Sequence, residues 1–198
     1  DGTTAGLLRE YLLPSVSLDE SAAIAEAMAI IGWARGLYDR GTSGRPLQGQ
    51  RWMMGDVMHS RPLAVNYGDR DGSGGSSSLN PDIRVFFGAN DGWLRSLRDT
   101  TPGGEQSGRE AWAFMPLEVM PAQRGLSLNS PAGQSGGHPY GVDGEPVALV
   151  VDVDLDGNVE TDEGDQVILF FGLRRGGGAY YALDVSRPDS PPELLWKI

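Results

Sequence analysis

The sequence predicts a mainly β chain with a helical segment at its N-terminus, and three observations lead there. After Gly55 the chain breaks into short apolar runs of strand length, punctuated by Gly, Pro, Asn and Asp. Two parts of that region repeat one another. The first fifty residues have a different texture, rich in Ala, Glu, Ile and Met. The expected division is a helical or linker segment over 1–50 and a β portion over 51–198.

The helical segment comes first. Ser17-Leu18-Asp19-Glu20 has the Ser-x-x-Glu spacing of a capping box, in which each side chain satisfies a backbone N–H at a helix start. From Leu18 to about Tyr38, the residues Ala23, Ala27, Ile30, Ile31, Trp33 and Ala34 fall roughly three to four apart, one face of a helix. Gly41 and Gly44 are expected to end it.

The strands follow, expected at 62–67, 84–88, 111–114, 147–151, 166–171, 180–185 and 194–198. Residues 69–80 read as a flexible Gly/Ser loop inserted between two of them. Val85-Phe86-Phe87-Gly88 corresponds to Leu169-Phe170-Phe171-Gly172, and Trp112 to Trp196, both pairs 84 residues apart. Between these anchors, 93–98 matches 179–184 after a two-residue shift. Repeats of this kind mark units that bury their apolar faces only against neighbours, and the unit length favours propeller blades. About two blades are expected, with Trp112 and Trp196 in the core between them. Two cannot close a propeller of ~4–8 blades, so the chain reads as a portion of something longer, as does its start at Asp-Gly-Thr-Thr.

Composition narrows function. With 16 Lys+Arg against 27 Asp+Glu, the formal net charge is −11, which argues against nucleic-acid binding and suits cation binding or solubility. There is no cysteine, which excludes disulfides, thiolate metal sites and cysteine nucleophiles. No stretch approaches the ~20 apolar residues of a membrane-spanning helix.

One segment carries recognisable chemistry. Residues 152–163 read Asp-Val-Asp-Leu-Asp-Gly-Asn-Val-Glu-Thr-Asp-Glu. Calcium takes ~6–8 oxygen ligands, and a twelve-residue loop supplies them from positions 1, 3, 5, 7, 9 and 12 with Gly at 6. Those positions hold Asp152, Asp154, Asp156, Asn158 (through its backbone carbonyl), Glu160 and Glu163, with Gly157 at the sixth. Glu163, Asp162 or Asp165 closes the site. Three carboxylates in five residues repel one another, which a divalent cation relieves. Magnesium fits less well, because it prefers octahedral geometry and keeps its waters. The flanks are strands, so no pair of helices is present to open as in sensor proteins. An acidic solvated turn is the plainer reading of the same residues.

Other motifs say less. Asp69-Arg70-Asp71-Gly72 is a truncated version of the cation pattern. Residues 172–178 resemble a phosphate loop superficially, but lack the Gly-Lys-Ser/Thr ending, and read as a hairpin turn. His59 beside Ser60, and His138 near Tyr140, have no supporting nucleophile elbow, so no catalytic role is expected. Asp91 and Asp143 fall in turns that account for them.

Three stretches together resemble the C-terminal propeller of the PilY family of type IV pilus biogenesis and tip-adhesin proteins. They are Gly55-Asp56-Val57-Met58-His59-Ser60-Arg61-Pro62, Val85-Phe86-Phe87-Gly88-Ala89-Asn90-Asp91-Gly92, and residues 172–185 with Leu173-Arg174-Arg175-Gly176-Gly177-Gly178 at their start. The resemblance spans roughly 51–198. It implies a partial propeller with blades like those of quinoprotein alcohol dehydrogenases, and an extracytoplasmic protein at the pilus tip or outer-membrane-associated cell surface. It implies minor pilins and a host or abiotic surface as partners, and roles in pilus extension, attachment and twitching motility without enzymatic activity. The family's calcium loop falls at 152–160, with occupancy opposing retraction. By resemblance the ligands are Asp152, Asp154, Asp156, Asn158 and Glu160, where the family often has Asp at the last. Arg98 departs from the blade motif's usual Asp, and no Arg-Gly-Asp triplet occurs. The alternatives are a quinone-dependent dehydrogenase propeller, or a propeller whose calcium is purely structural.

Overall fold

Two antiparallel four-stranded sheets, packed face to face, form the bulk of the computed structural model. It describes residues 2–37, 54–69, 81–99, 107–128 and 139–198. The expected helix end at Tyr38–Gly44, the boundary at 50/51, most of the 69–80 loop with its Asp69–Gly72 motif, and His138 lie outside the described residues.

The N-terminal part holds two helices, one more than expected. Helix α1 spans Gly2–Leu12 and α2 spans Glu20–Ala34. Ala5, Leu12 and Leu13 pack with Ala27 and Ile30 in a small separate core. The cap of α2 differs from the capping box read in the sequence. Asp19 is the N-cap, its carboxylate accepting the Ala22 N–H at 2.9 Å. Starting at Glu20 places Ser17 too far out to cap, and Glu20 instead meets Arg9 at 3.1 Å.

The first sheet is a meander of β1 (Leu63–Asp69), β2 (Pro81–Gly88), β3 (Leu94–Arg98) and β4 (Glu110–Phe114). The second repeats it with β5 (Val147–Val151), β6 (Gln166–Gly172), β7 (Tyr180–Asp184) and β8 (Glu193–Lys197). The internal repeat is therefore a repeat of whole sheets. Leu63 pairs Phe86, Phe86 pairs Ser96 and Ser96 pairs Trp112; in the second sheet the row is Val147, Phe170, Ala182 and Trp196. Even the irregularity recurs. One extra residue, Ala111 in β4 and Leu195 in β8, interrupts the last pairing at the same place.

Alternation along the strands sends Phe86, Trp112 and Phe114 to one face of the first sheet. That face lies on the second sheet, where Phe114 meets Phe171 and Tyr181 edge-on at 6.2 and 5.7 Å. Val167, Leu169, Phe171, Leu183 and Val185 complete the shared core. Polar ties cross the same seam. The Tyr67 hydroxyl donates to the Val185 carbonyl at 2.9 Å. The buried Arg84 spans Asp82 of its own strand and Asp189, beyond β7, at 2.8 Å each. Trp112 is in the core, as expected, at 7% exposure, but Trp196 is 42% exposed. Each lies tilted against its own sheet's phenylalanine in nearly the same pose, 5.7 and 5.9 Å between centroids. What Trp196 lacks, among the described residues, is a second sheet over its face.

Candidate metal centre

Residues 152–165 connect β5 to β6, whose pairing ends at Val151 and Gln166. The loop is shaped by its own carboxylates. Asp152 accepts the N–H groups of Leu155 and Gly157 at 2.7 and 3.0 Å. Asp154 accepts the Asp156 N–H at 3.3 Å, and Asp156 accepts both the backbone and side-chain N–H of Asn158 at 2.8 and 2.7 Å. Gly157 sits at φ +89°, where the sharp turn needs a residue without a Cβ. Leu155 is also left-handed at +64°, a strained conformation for a non-glycine, with its side chain largely in solvent.

The outcome is that one oxygen from each of Asp152, Asp154 and Asp156 lies within 4.8 Å of the others. Three acceptors at that spacing, with no counter-charge among them, match the oxygen donors a hard cation takes. Glu160 and Glu163 sense the same field. Burial raises the Glu160 carboxyl above its ordinary range, with Asp156, Glu163, Asp165 and Asp154 adding repulsion. Glu163 is raised chiefly by Asp154. One oxygen of Glu160 is enclosed without a hydrogen-bond partner.

Of the three residues left open as the closing ligand, Asp165 has another task. Its two oxygens accept the Val153 and Glu160 N–H groups at 2.8 and 3.0 Å, pinning the ends of the loop together from a buried position. Asp162 and Glu163 are exposed. Asn158 is buried, its side chain turned onto Gly68 rather than toward solvent.

That contact was not foreseen from the sequence. Gly68, at φ +100°, lies in the irregular end of β1, and a Cβ there would collide with Asn158. Beside it the Val159 N–H donates to the Tyr67 carbonyl at 3.1 Å. The acidic loop of the second sheet is thus fastened to a kink in the first. The strand expected over 62–67 stops one short of Gly68, so the sequence held no forewarning of a close backbone approach there.

His59 and Ser60, neighbours in the sequence, are engaged with different partners. Ser60 accepts the Gly88 N–H at 2.8 Å, and His59 meets Asp143 at 2.7 Å. Asp91 does more than close a turn, since it binds Arg95 at 2.7 Å and the Gly55 N–H at 2.9 Å.

Comparison with known proteins then places the chain. It is 31% identical over 196 residues to a "Type IV pilus biogenesis factor PilY1 homolog" of Xylella fastidiosa strain Temecula1, covering 91% of this chain and 14% of that protein. The chain belongs to the PilY1-type family. The PilY1 protein of Pseudomonas aeruginosa strain UCBPP-PA14 is 32% identical over 158 residues, covering 73% of this chain and 12% of its own length. In strain PAO1 the figure is 36% over 115 residues, 58% and 8% respectively. The chain therefore spans a small part of each of these PilY1-type relatives. No family model matches it, and no solved structure matches it significantly. Among the described residues no helix is long and apolar enough to cross a membrane.

Proposed function

We propose that this chain is a non-enzymatic, calcium-binding portion of a type IV pilus biogenesis factor, with its two sheets as adjacent β-propeller blades. The observation that carries the calcium reading is the convergence of Asp152, Asp154 and Asp156, with Glu160 and Glu163 close enough to be perturbed by them. Glu160, Glu163 and the Asn158 carbonyl would complete the oxygen shell, and the ion would supply the positive charge these carboxylates lack. The blade reading is supported by the repeated register and by the packing of one sheet's face on the next. The pilus reading is supported by the relatives named above. In the intact protein the chain would act outside the cytoplasm, at the pilus tip or cell surface, alongside minor pilins, in extension, attachment and twitching motility.

The direct test is calorimetric titration of calcium into the metal-stripped protein, with magnesium as control and melting followed in parallel. One-to-one, calcium-selective binding that raises the melting temperature is expected, because a ligand of the folded state alone stabilises it. Asp154→Ala with Asp156→Ala should abolish the binding while leaving a folded protein. Unchanged affinity in that variant defeats the reading. A dissociation constant near the prevailing free calcium marks a switch, whereas much tighter binding marks a structural ion. The same double substitution in the full-length protein should alter twitching; normal twitching with calcium binding lost would separate the ion from motility.

A further inference from the structure

A second pocket, unrelated to the acidic loop, lies at the opposite end of the sheets, where β6 leaves and β1 and β5 begin. Backbones meet there almost without side chains. A Cβ on Gly144 would strike the Gly172 carbonyl, and one on Gly176 the Gly141 carbonyl. This close approach brings the segment before β5 against the turn after β6, and the His59–Asp143 contact adds the segment before β1. It gathers His59, Arg61, Glu145 and Arg174, with Met58, around a cavity of about 430 Å³. Two of the three stretches that carry the family resemblance meet in it.

The groups in this pocket are held in place. Asp143 is completely buried, and one of its oxygens lies 2.7 Å from His59 Nδ1. A carboxylate accepts, so Nδ1 carries the hydrogen and Nε2 is left as the ring's acceptor, on a residue that lines the cavity. The other Asp143 oxygen has no hydrogen-bond partner and lies 3.9 Å from Arg174. At that separation Arg174 feels the charge while its N–H donors stay available. Arg174 also has φ +53°, a left-handed conformation that a side-chain-bearing residue adopts at a cost, often where a ligand is bound. Among the described residues Arg61 has no carboxylate partner. Next to the pocket, Arg175 lies over the Tyr140 ring, 5.2 Å from its centroid, and donates to its hydroxyl at 2.9 Å. In a chain of net charge −11, two guanidiniums and an imidazole line one cavity, with Glu145 the carboxylate at its rim and Asp143 buried behind His59 and Arg174.

We infer that this pocket binds an oxyanion, a carboxylate or phosphate group of a partner or ligand, gripped by Arg61 and Arg174 and oriented by His59. Guanidinium forks match both groups in geometry and charge. Asp143 is a positioning residue that sets the imidazole. The proposal does not depend on calcium binding.

The test uses the metal-free 198-residue chain and the imidazole NMR signals of its two histidines. Inorganic phosphate and acetate are titrated separately, with sodium chloride at matched ionic strength as control. A saturable shift of His59, absent with chloride and absent at His138, is expected. Response to phosphate alone identifies a phosphate-bearing ligand, and to acetate a carboxylate-bearing one. Arg61→Gln with Arg174→Gln should weaken the response about tenfold or more in a protein that still folds, since both side chains are exposed. Asp143→Asn should blunt the His59 response with both arginines intact; if that variant does not fold, the arginine variant decides. Absence of a saturable shift with either anion, or an identical shift in the double arginine variant, overturns the proposal.

Discussion

The two sheets are built alike and buried differently. Strand order, register, the extra residue in the fourth strand and the Trp–Phe ring pair are the same in both. Yet Trp112 is enclosed and Trp196 is half open. Local sequence pattern therefore sets the inside of each sheet, while burial depends on what is laid against it. The difference also shows at matching positions in the strands. Arg84 in the first sheet stands where Ile168 stands in the second. The arginine is buried because the second sheet brings Asp189 to it.

This contrast can be broken in steps. Trp112→Ala should destabilise the chain by about 3–5 kcal/mol, the usual cost of emptying an aromatic core site, with Trp196→Ala well below that. Denaturant unfolding of the two variants measures the gap, and equal losses would mean the second face is covered in solution. Arg84→Met removes one partner of a buried ionic cluster and should cost about 3 kcal/mol in the same assay. Ile168→Met should be close to neutral, since the swap keeps volume. Gly68→Ala should cost about 1–3 kcal/mol, because it combines positive φ with a collision against Asn158. Gly2→Ala, with open space around it, should cost nothing measurable.

The smallest effect concerns charge in the acidic loop. The Glu160 and Glu163 carboxyls are both raised in the fold. A raised acid holds its proton longer when folded, so its contribution favours the fold as pH falls through the raised value. It turns against the fold as pH rises back through it. Glu163→Gln should therefore raise the melting temperature of the metal-free protein slightly at neutral pH and remove part of this pH dependence. A lower melting temperature would mean Glu163 has a partner that the fold needs.

Much of the architecture was legible because it is local. Strand β5 falls where the apolar run 147–151 was read, and the two-residue shift between repeat anchors survives as the longer turn between β6 and β7. The Asp-x-Asp-x-Asp-Gly spacing was legible for the same reason, since all three carboxylates belong to one turn. What escaped was non-local or finely balanced. Helix α1 has little periodic signal, with Gly and Thr at its start, and is held by packing on α2. The cap moved from Ser17 to Asp19 because both residues can cap and tertiary position decides. His59 with Asp143, and Gly68 with Asn158, join residues far apart in the chain, a pairing that no window of sequence contains.

The tie from the Tyr67 hydroxyl to Val185 spans 118 residues, whereas every strand pairing within a sheet joins neighbours in the meander. Contacts of long sequence separation pay a loop-closure entropy that local hairpins avoid, so they form late. Each sheet can then assemble on its own timescale before the seam closes. Residues 152–165, though shaped by their own hydrogen bonds, are fastened to Gly68 and Tyr67 only in this last step. The slowest folding phase should accordingly be the one most sensitive to Gly68.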